Sequence, residues 1–198
     1  MNSMIKGLAL TAAVVGSSAA SAHQVLYHAD LSGPAESPAN ASPGLGSADV
    51  TVDLDLATMR VAFTFAGLTG TTTASHIHCC TTVPGVSTAG VATPTPFFPG
   101  FTTGVTSGSY DQTFDLALAS SYNGSFITNN GGAISTAMNA LLLGLADGKA
   151  YLNIHTSTFT GGEIRGFLIA QPVPVPAAVW LLGSSLAGLA GLRRQRVA

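Results

Sequence analysis

The chain has 198 residues, of which 46% are hydrophobic and only 8% charged, and its formal charge is −2. Soluble domains carry about 25% charged residues, so neither an ordinary cytosolic enzyme surface nor a charge-rich disordered chain fits. Seven Lys and Arg, with no basic run in the body, exclude nucleic acid as a partner.

Residues 1–22 read as a secretory signal peptide. Lys6 is the positive start, residues 7–20 form an uncharged apolar run, and Ala20-Ser21-Ala22 is a small-x-small cleavage site that leaves His23 first. The run is shorter than the ~20 residues a membrane span needs. The body, residues 23–172, then holds three basic residues (Arg60, Lys149, Arg165) against nine acidic ones, a formal charge of −6. That charge keeps the body soluble without specifying a ligand, and its length suffices for one well-buried core.

Within the body, residues 24–31 are a strand candidate followed by a Pro/Ser/Gly/Asn loop over 32–47. Residues 49–56 alternate: Val50, Val52, Leu54 and Leu56 on one face, Asp49, Thr51, Asp53 and Asp55 on the other, as in a half-buried strand. The carboxylates on that face lack the Gly and loop carbonyls of a calcium cage and read as a solvated face. A turn at Ala57-Thr58 leads into 59–65, with Val61, Phe63 and Phe65 alternating, and the two segments predict a hairpin. A further strand is expected over 72–80. A Pro/Gly/Thr-rich loop follows over 80–108, pinned by Phe97, Phe98 and Phe101. Residues 110–116 return to strand. Residues 133–145 carry the one helical pattern, ended by Asp147-Gly148, and 149–155 and 163–170 form a closing hairpin across Thr160-Gly161-Gly162. Many short strands with Gly/Pro turns predict a mainly β fold, a Greek-key β-sandwich with one helix packed at an end or edge.

The C-terminal residues 173–198 have three parts in order: the stiff Val173-Pro174-Val175-Pro176, an apolar run over 177–192 containing Trp180, Leu181 and Leu182, and the cluster Arg193, Arg194 and Arg196. An apolar run closed by arginines is a stop-transfer pattern whose positive end stays cytoplasmic, and these residues alone also fit a plain C-terminal anchor. The three-part order resembles the bacterial PEP-CTERM sorting signal, with Pro-Val-Pro in place of Pro-Glu-Pro. That resemblance implies removal by an exosortase, a membrane cysteine protease, and display or release outside a Gram-negative, matrix-making bacterium.

Three motifs stand together in the body: Ser75-His76-Ile77-His78, Tyr151-Leu152-Asn153-Ile154-His155-Thr156 and Gly161-Gly162-Glu163-Ile164-Arg165-Gly166. In this order and near these separations they resemble the CHRD domain, over roughly residues 24–170. Cys79-Cys80 stands where that family commonly has Gly after His-x-His. The resemblance implies an extracellular β-domain, with Gly162, Glu163, Arg165 and Gly166 as its motif residues, and it supplies no mechanism.

Strand parity orders the polar residues. His76, His78 and Cys80 share one face, Tyr151, Asn153 and His155 another, and Glu163, Arg165 and Phe167 a third, each opposite an apolar set that belongs in the core. If the strands are neighbours, His76, His78 and His155 meet and can share one zinc or copper ion, with Cys80 as a further ligand. The competing reading makes the His pair a tie to the long loop. Glu163 and Arg165 read as a surface charge pair or a tie to backbone. Cys79 and Cys80 are the only cysteines; a vicinal disulfide, thiolate donation to the histidines and an intermolecular bond are the alternatives. No Gly-x-Ser-x-Gly elbow is present. The sequence therefore predicts an exported, non-enzymatic module of the cell envelope or extracellular matrix. A metal-binding or redox protein built on the histidines is the alternative. Expected partners are the secretion machinery and exosortase during export, and an extracellular polysaccharide or matrix protein afterwards.

Overall fold

The computed structural model describes residues 23–172, so the expectations for the two ends of the chain lie outside the described residues. Eight strands are wired antiparallel: β1 (Gln24–Ser32), β2 (Leu45–Asp53), β3 (Thr58–Ala66), β4 (Thr72–His78), β5 (Gly108–Asp115), β6 (Tyr151–Thr156), β7 (Ile164–Phe167) and β8 (Ile169–Ala170). Two helices, α1 (Gly124–Asn129) and α2 (Ile134–Ala146), follow β5. The strand order is β4-β6-β7-β1-β2-β3-β5, with β8 also on β1. The sheet curls into a half-barrel whose two halves enclose one core, as in a sandwich. The connections β3 to β4 and β4 to β5 cross between the halves, as Greek-key wiring requires.

The β2–β3 hairpin forms with Val50 opposite Val61 and Val52 opposite Met59, all of them buried. The strand stops earlier than its alternation suggests. Asp53 Oδ1 accepts hydrogen bonds from the backbone N–H of Asp55 and of Leu56, at 3.0 Å each, and turns the chain. Leu54 and Leu56 are therefore exposed rather than in the core. A local side-chain-to-backbone turn outcompetes the pleat here.

The long loop is bound to the molecule along its length. Ala92 N–H bonds Ile77 O at 2.9 Å, Cys79 N–H bonds Gly90 O at 3.0 Å, and Phe98 N–H bonds Ser75 O at 3.2 Å. The loop thus satisfies the free edge of β4, which is the outermost strand of its half. Phe98 and Phe101 enter the main core beside Phe63 and Tyr110, while Phe97 is half-buried. They are part of the one core, not a separate cluster.

Helix α2 starts and ends within a residue of the expected span, and Gly148, at φ 65°, turns the chain out of it. Helix α1 was not foreseen; it is six residues long and is capped by Asn123, whose side chain accepts from Ser125 N–H. The expected last strand is split. Leu168 N–H bonds Ala150 O at 3.0 Å, after which β8 pairs with β1 through Tyr27 and His28. Gly166 marks the crossing, because a Cβ there would lie 2.3 Å from the Asp30 carbonyl oxygen. Among the described residues no helix is long and apolar enough to cross a membrane.

Candidate metal centre

Strands β4, β6 and β7 lie side by side, and their register sets the polar face in rows. His76 is opposite Asn153, which is opposite Arg165; His78 is opposite Tyr151, which is opposite Phe167; Ala74 is opposite His155. The other face carries Ile77, Leu152, Ile154 and Ile164, each fully buried in the core. Alternation along the two adjacent strands β4 and β6 therefore collects three imidazoles on one side of the sheet. One ring nitrogen from each of His76, His78 and His155 lies within 4.8 Å of the other two.

Each ring is anchored by its other nitrogen. His76 Nε2 donates to Pro96 O at 2.7 Å, His78 Nδ1 to Ala89 O at 2.9 Å, and His155 Nδ1 to Thr160 O at 2.9 Å. Donation to a carbonyl fixes each tautomer and leaves the opposite nitrogen unprotonated. Those nitrogens, His76 Nδ1, His78 Nε2 and His155 Nε2, are buried and have no hydrogen-bond partner. Backbone carbonyls behind the rings are the usual support of metal-ligating histidines. Burial pushes both His76 and His78 down to about 4, against the opposing pull of the Pro96 and Ala89 carbonyls, and it lowers His155 as well. All three rings are neutral at pH 7, the form that binds metal. His76 and His78 thus make the tie to the long loop and still each keep one buried nitrogen without a partner.

Around the trio, Tyr151 stacks on His78 with ring centroids 4.8 Å apart and planes 5° apart. The Arg165 guanidinium lies over the Tyr151 ring, 4.8 Å from its centroid. Arg165 is not a surface charge: it is 4% exposed, and its Nε donates to Ala35 O at 2.6 Å and its Nη1 to Ser87 O at 3.0 Å. Glu36, 3.8 Å from Arg165, is buried with it. Burial pushes the Glu36 carboxyl up to about 7, although the Arg165 cation and the Ser37 backbone pull it down. Glu36 sits in a Pro/Ser loop, where nothing in the sequence pattern singles it out.

Glu163 departs from the parity expectation. It does not share a face with Arg165; its carboxylate turns into the interior and is fully buried. It accepts from Ser42 Oγ and Thr156 Oγ1 at 2.6 Å each, and from the backbone N–H of Thr69 and of Gly70. Burial alone would raise its pKa, but these four bonds outweigh burial and hold it below the ordinary carboxylate value. Gly162, at φ 133°, makes this turn possible. A Cβ there would lie 2.6 Å from both Asn153 amide atoms and from Glu36 Oε1. The Gly-Glu-Ile-Arg-Gly motif thus binds loops to the sheet from both faces, Glu163 from within and Arg165 from without.

Cys80 does not join the histidines. Cys79 and Cys80 are bonded to each other, just beyond the end of β4, and their sulfurs lie against α2. A Cβ on Gly144 would fall within 2.3 Å of both sulfurs. His23 and His28 lie elsewhere, held by Asp55 and Asp49.

A family model described as the CHRD domain matches residues 27–168. The chain belongs to the CHRD family. The match takes in strands β2 to β7 whole and most of β1, together with His76, His78 and His155, and it stops just short of β8. Membership brings a β-module without a defined activity, so the chemistry must be read from the CHRD body itself. No curated protein and no solved structure matches the chain significantly.

Proposed function

We infer that this CHRD protein is an exported, non-enzymatic module of the cell envelope or extracellular matrix, and that it holds one transition-metal ion, zinc or copper, on His76, His78 and His155. One observation carries the metal reading: three buried ring nitrogens without partners face one another, each on a ring whose other nitrogen is already bound. Unpaired buried polar atoms are costly, and native proteins keep few of them. A tetrahedral zinc with bonds of about 2.0–2.1 Å needs its nitrogens about 3.3–3.4 Å apart, within reach of small rotations of these rings.

The test is a titration of the metal-stripped protein with zinc or copper at pH 7. One equivalent should bind to the wild type and none to a His76→Ala/His78→Ala/His155→Ala variant. Equal uptake by both would leave the histidines as a loop tie alone.

The export reading rests on the two ends of the sequence. Protein recovered from a matrix-making Gram-negative host should lack residues 1–22 and the segment from about Pro174 onward. A mature mass that still includes Trp180 and the terminal arginines would replace exosortase processing with a retained anchor.

A further inference from the structure

The metal reading leaves the ion itself open between zinc and copper, and the surroundings of the three rings narrow the choice. We propose that the ion is copper in its monovalent, cuprous state. This assignment rests on the three-histidine centre of the preceding section.

The charge around the rings favours a monocation. Among the described residues the cluster consists of the three imidazoles alone, with no carboxylate or thiolate in reach. The two sulfurs are used by each other. The nearest full charge in this network is the Arg165 cation, which lies over Tyr151, which in turn stacks on His78. The one carboxylate on this side, Glu36, stands by Arg165 rather than by the rings. A bound ion would keep its whole charge, with a cation as neighbour.

Burial favours a monocation as well. The three free nitrogens are shielded from solvent, and the desolvation cost of an ion grows with the square of its charge, so a dication is penalised roughly four times as heavily as a monocation. Zinc(II) and copper(II) sites of low protein charge recover part of that cost through water or an anion in an open position. Here His76 and His78 lie against the loop that carries Ala89 and Pro96, and His155 lies against the β6–β7 turn.

The number of donors also suits copper(I). Structural zinc takes four ligands, and copper(II) favours tetragonal sets. Copper(I) is a closed-shell ion that accepts three donors in a plane. Glu36 Oε1 and Asn153 Oδ1 are further unpaired buried oxygens on this side, and of the two residues it is Asn153, through its amide, that pairs with His76 across the β4–β6 register. Its atoms gather over Gly162, beside Glu36 Oε1. As a neutral group it would leave the charge argument unchanged even if it swung toward the ion.

The experiment uses protein recovered after export of the full chain and stripped with a chelator. It is titrated without oxygen with copper(I) against bicinchoninate, and in separate runs with zinc(II) and copper(II) against chromophoric chelators. One equivalent of copper(I) should bind at least ~100-fold more tightly than zinc(II) or copper(II). X-ray absorption should show a cuprous site with nitrogen donors and no sulfur. His155→Gln, at the most exposed of the three rings, should weaken copper(I) binding by about 100-fold with the circular dichroism spectrum unchanged. His76→Ala serves as the second variant, with its folding checked in the same way. Zinc(II) or copper(II) bound as tightly as copper(I) would overturn the cuprous assignment and leave the three-histidine centre standing. Full copper(I) affinity in a folded His155→Gln variant, or no uptake of any of the three ions, would overturn both.

Discussion

His76 and His155 stand on neighbouring strands with ring centroids 5.4 Å apart, and each is tied to a different loop. His76 holds the carbonyl of Pro96 in the long connection, and His155 holds that of Thr160 in the β6–β7 turn. An ion on both rings would therefore cross-link two loops through the sheet between them. A ligand that binds only the folded state stabilises it by about 2.7 kcal/mol at a hundredfold excess over its Kd. Saturating metal should raise the Tm of the wild type by several degrees. The long loop should also be protected from proteolysis, and the triple His→Ala variant should show neither effect. A metal-induced rise of equal size in both proteins would place the binding elsewhere.

The core of the closing hairpin gives a second expectation. Ile154 and Ile164 are directly paired and fully buried. Ile154→Ala should cost about 2–5 kcal/mol, the usual range for a large-to-small change that leaves a cavity. Urea denaturation measures it directly. A loss below about 1 kcal/mol would mean that the sheet repacks here or that the register differs.

What the sequence revealed about this region, and what it hid, have separate causes. Period-2 alternation is a local property, so it placed Leu152, Ile154 and Ile164 in the core and His76, His78 and His155 on the opposite face before any partner strand was known. Alternation says nothing where the backbone leaves the pleat. The turn at Gly162 rotates Glu163 inward, and Asp53 ends β2 with an Asx turn, so Leu54 and Leu56 never reach the core. Arg165 lies on its expected face yet is buried, because the loops bearing Ala35 and Ser87 fold over it. Which loop covers which face is long-range information with no periodic trace, and for that reason Glu36 went unseen.

The sulfurs of Cys79 and Cys80 pack where α2 has no side chain, and this predicts an inverted helix substitution. Gly→Ala inside a helix ordinarily gains up to about 1 kcal/mol. At Gly144 the new methyl would meet Cys79 Sγ at 2.2 Å and Cys80 Sγ at 2.3 Å. Gly144→Ala should instead destabilise by about 1–3 kcal/mol, the range for an overpacked interior. In a Cys79→Ala/Cys80→Ala background the nearest remaining contact is the residue 80 Cβ at 3.4 Å, and most of the penalty should vanish. A double-mutant cycle of thermal unfolding reads this coupling. Additive effects would show that the sulfurs and Gly144 do not share the space.

The histidines also make the metal-free protein sensitive to acid. Folded His76 and His78 titrate near 4, because burial disfavours their charged forms, while the same rings in the unfolded chain titrate at 6.5. His155 shifts in the same direction. Between those values the unfolded chain binds more protons than the folded one, so stability rises with pH. The contribution is complete above about 6.5 and is lost as pH falls toward 4. Glu36 works the other way. Its folded pKa is raised from 4.5 to about 7, so its contribution is full at low pH and is lost as pH rises through 7. Tyr151, which stacks on His78 and whose pKa burial raises from 10.0, stays neutral throughout this window. Three rings against one carboxyl leave the net slope upward between pH 4.5 and 6.5, with a total loss on acidification on the order of a few kcal/mol. Tm measured across that range, with chelator present, should fall as pH falls. His76→Gln should flatten the fall, and Glu36→Gln should steepen it, because the opposing group is gone. A wild-type Tm that holds level from pH 6.5 to 4.5, or a His76→Gln variant with an unchanged slope, would mean that these rings are solvated and charged in the folded protein, and the dry, neutral ligand set would be lost with them.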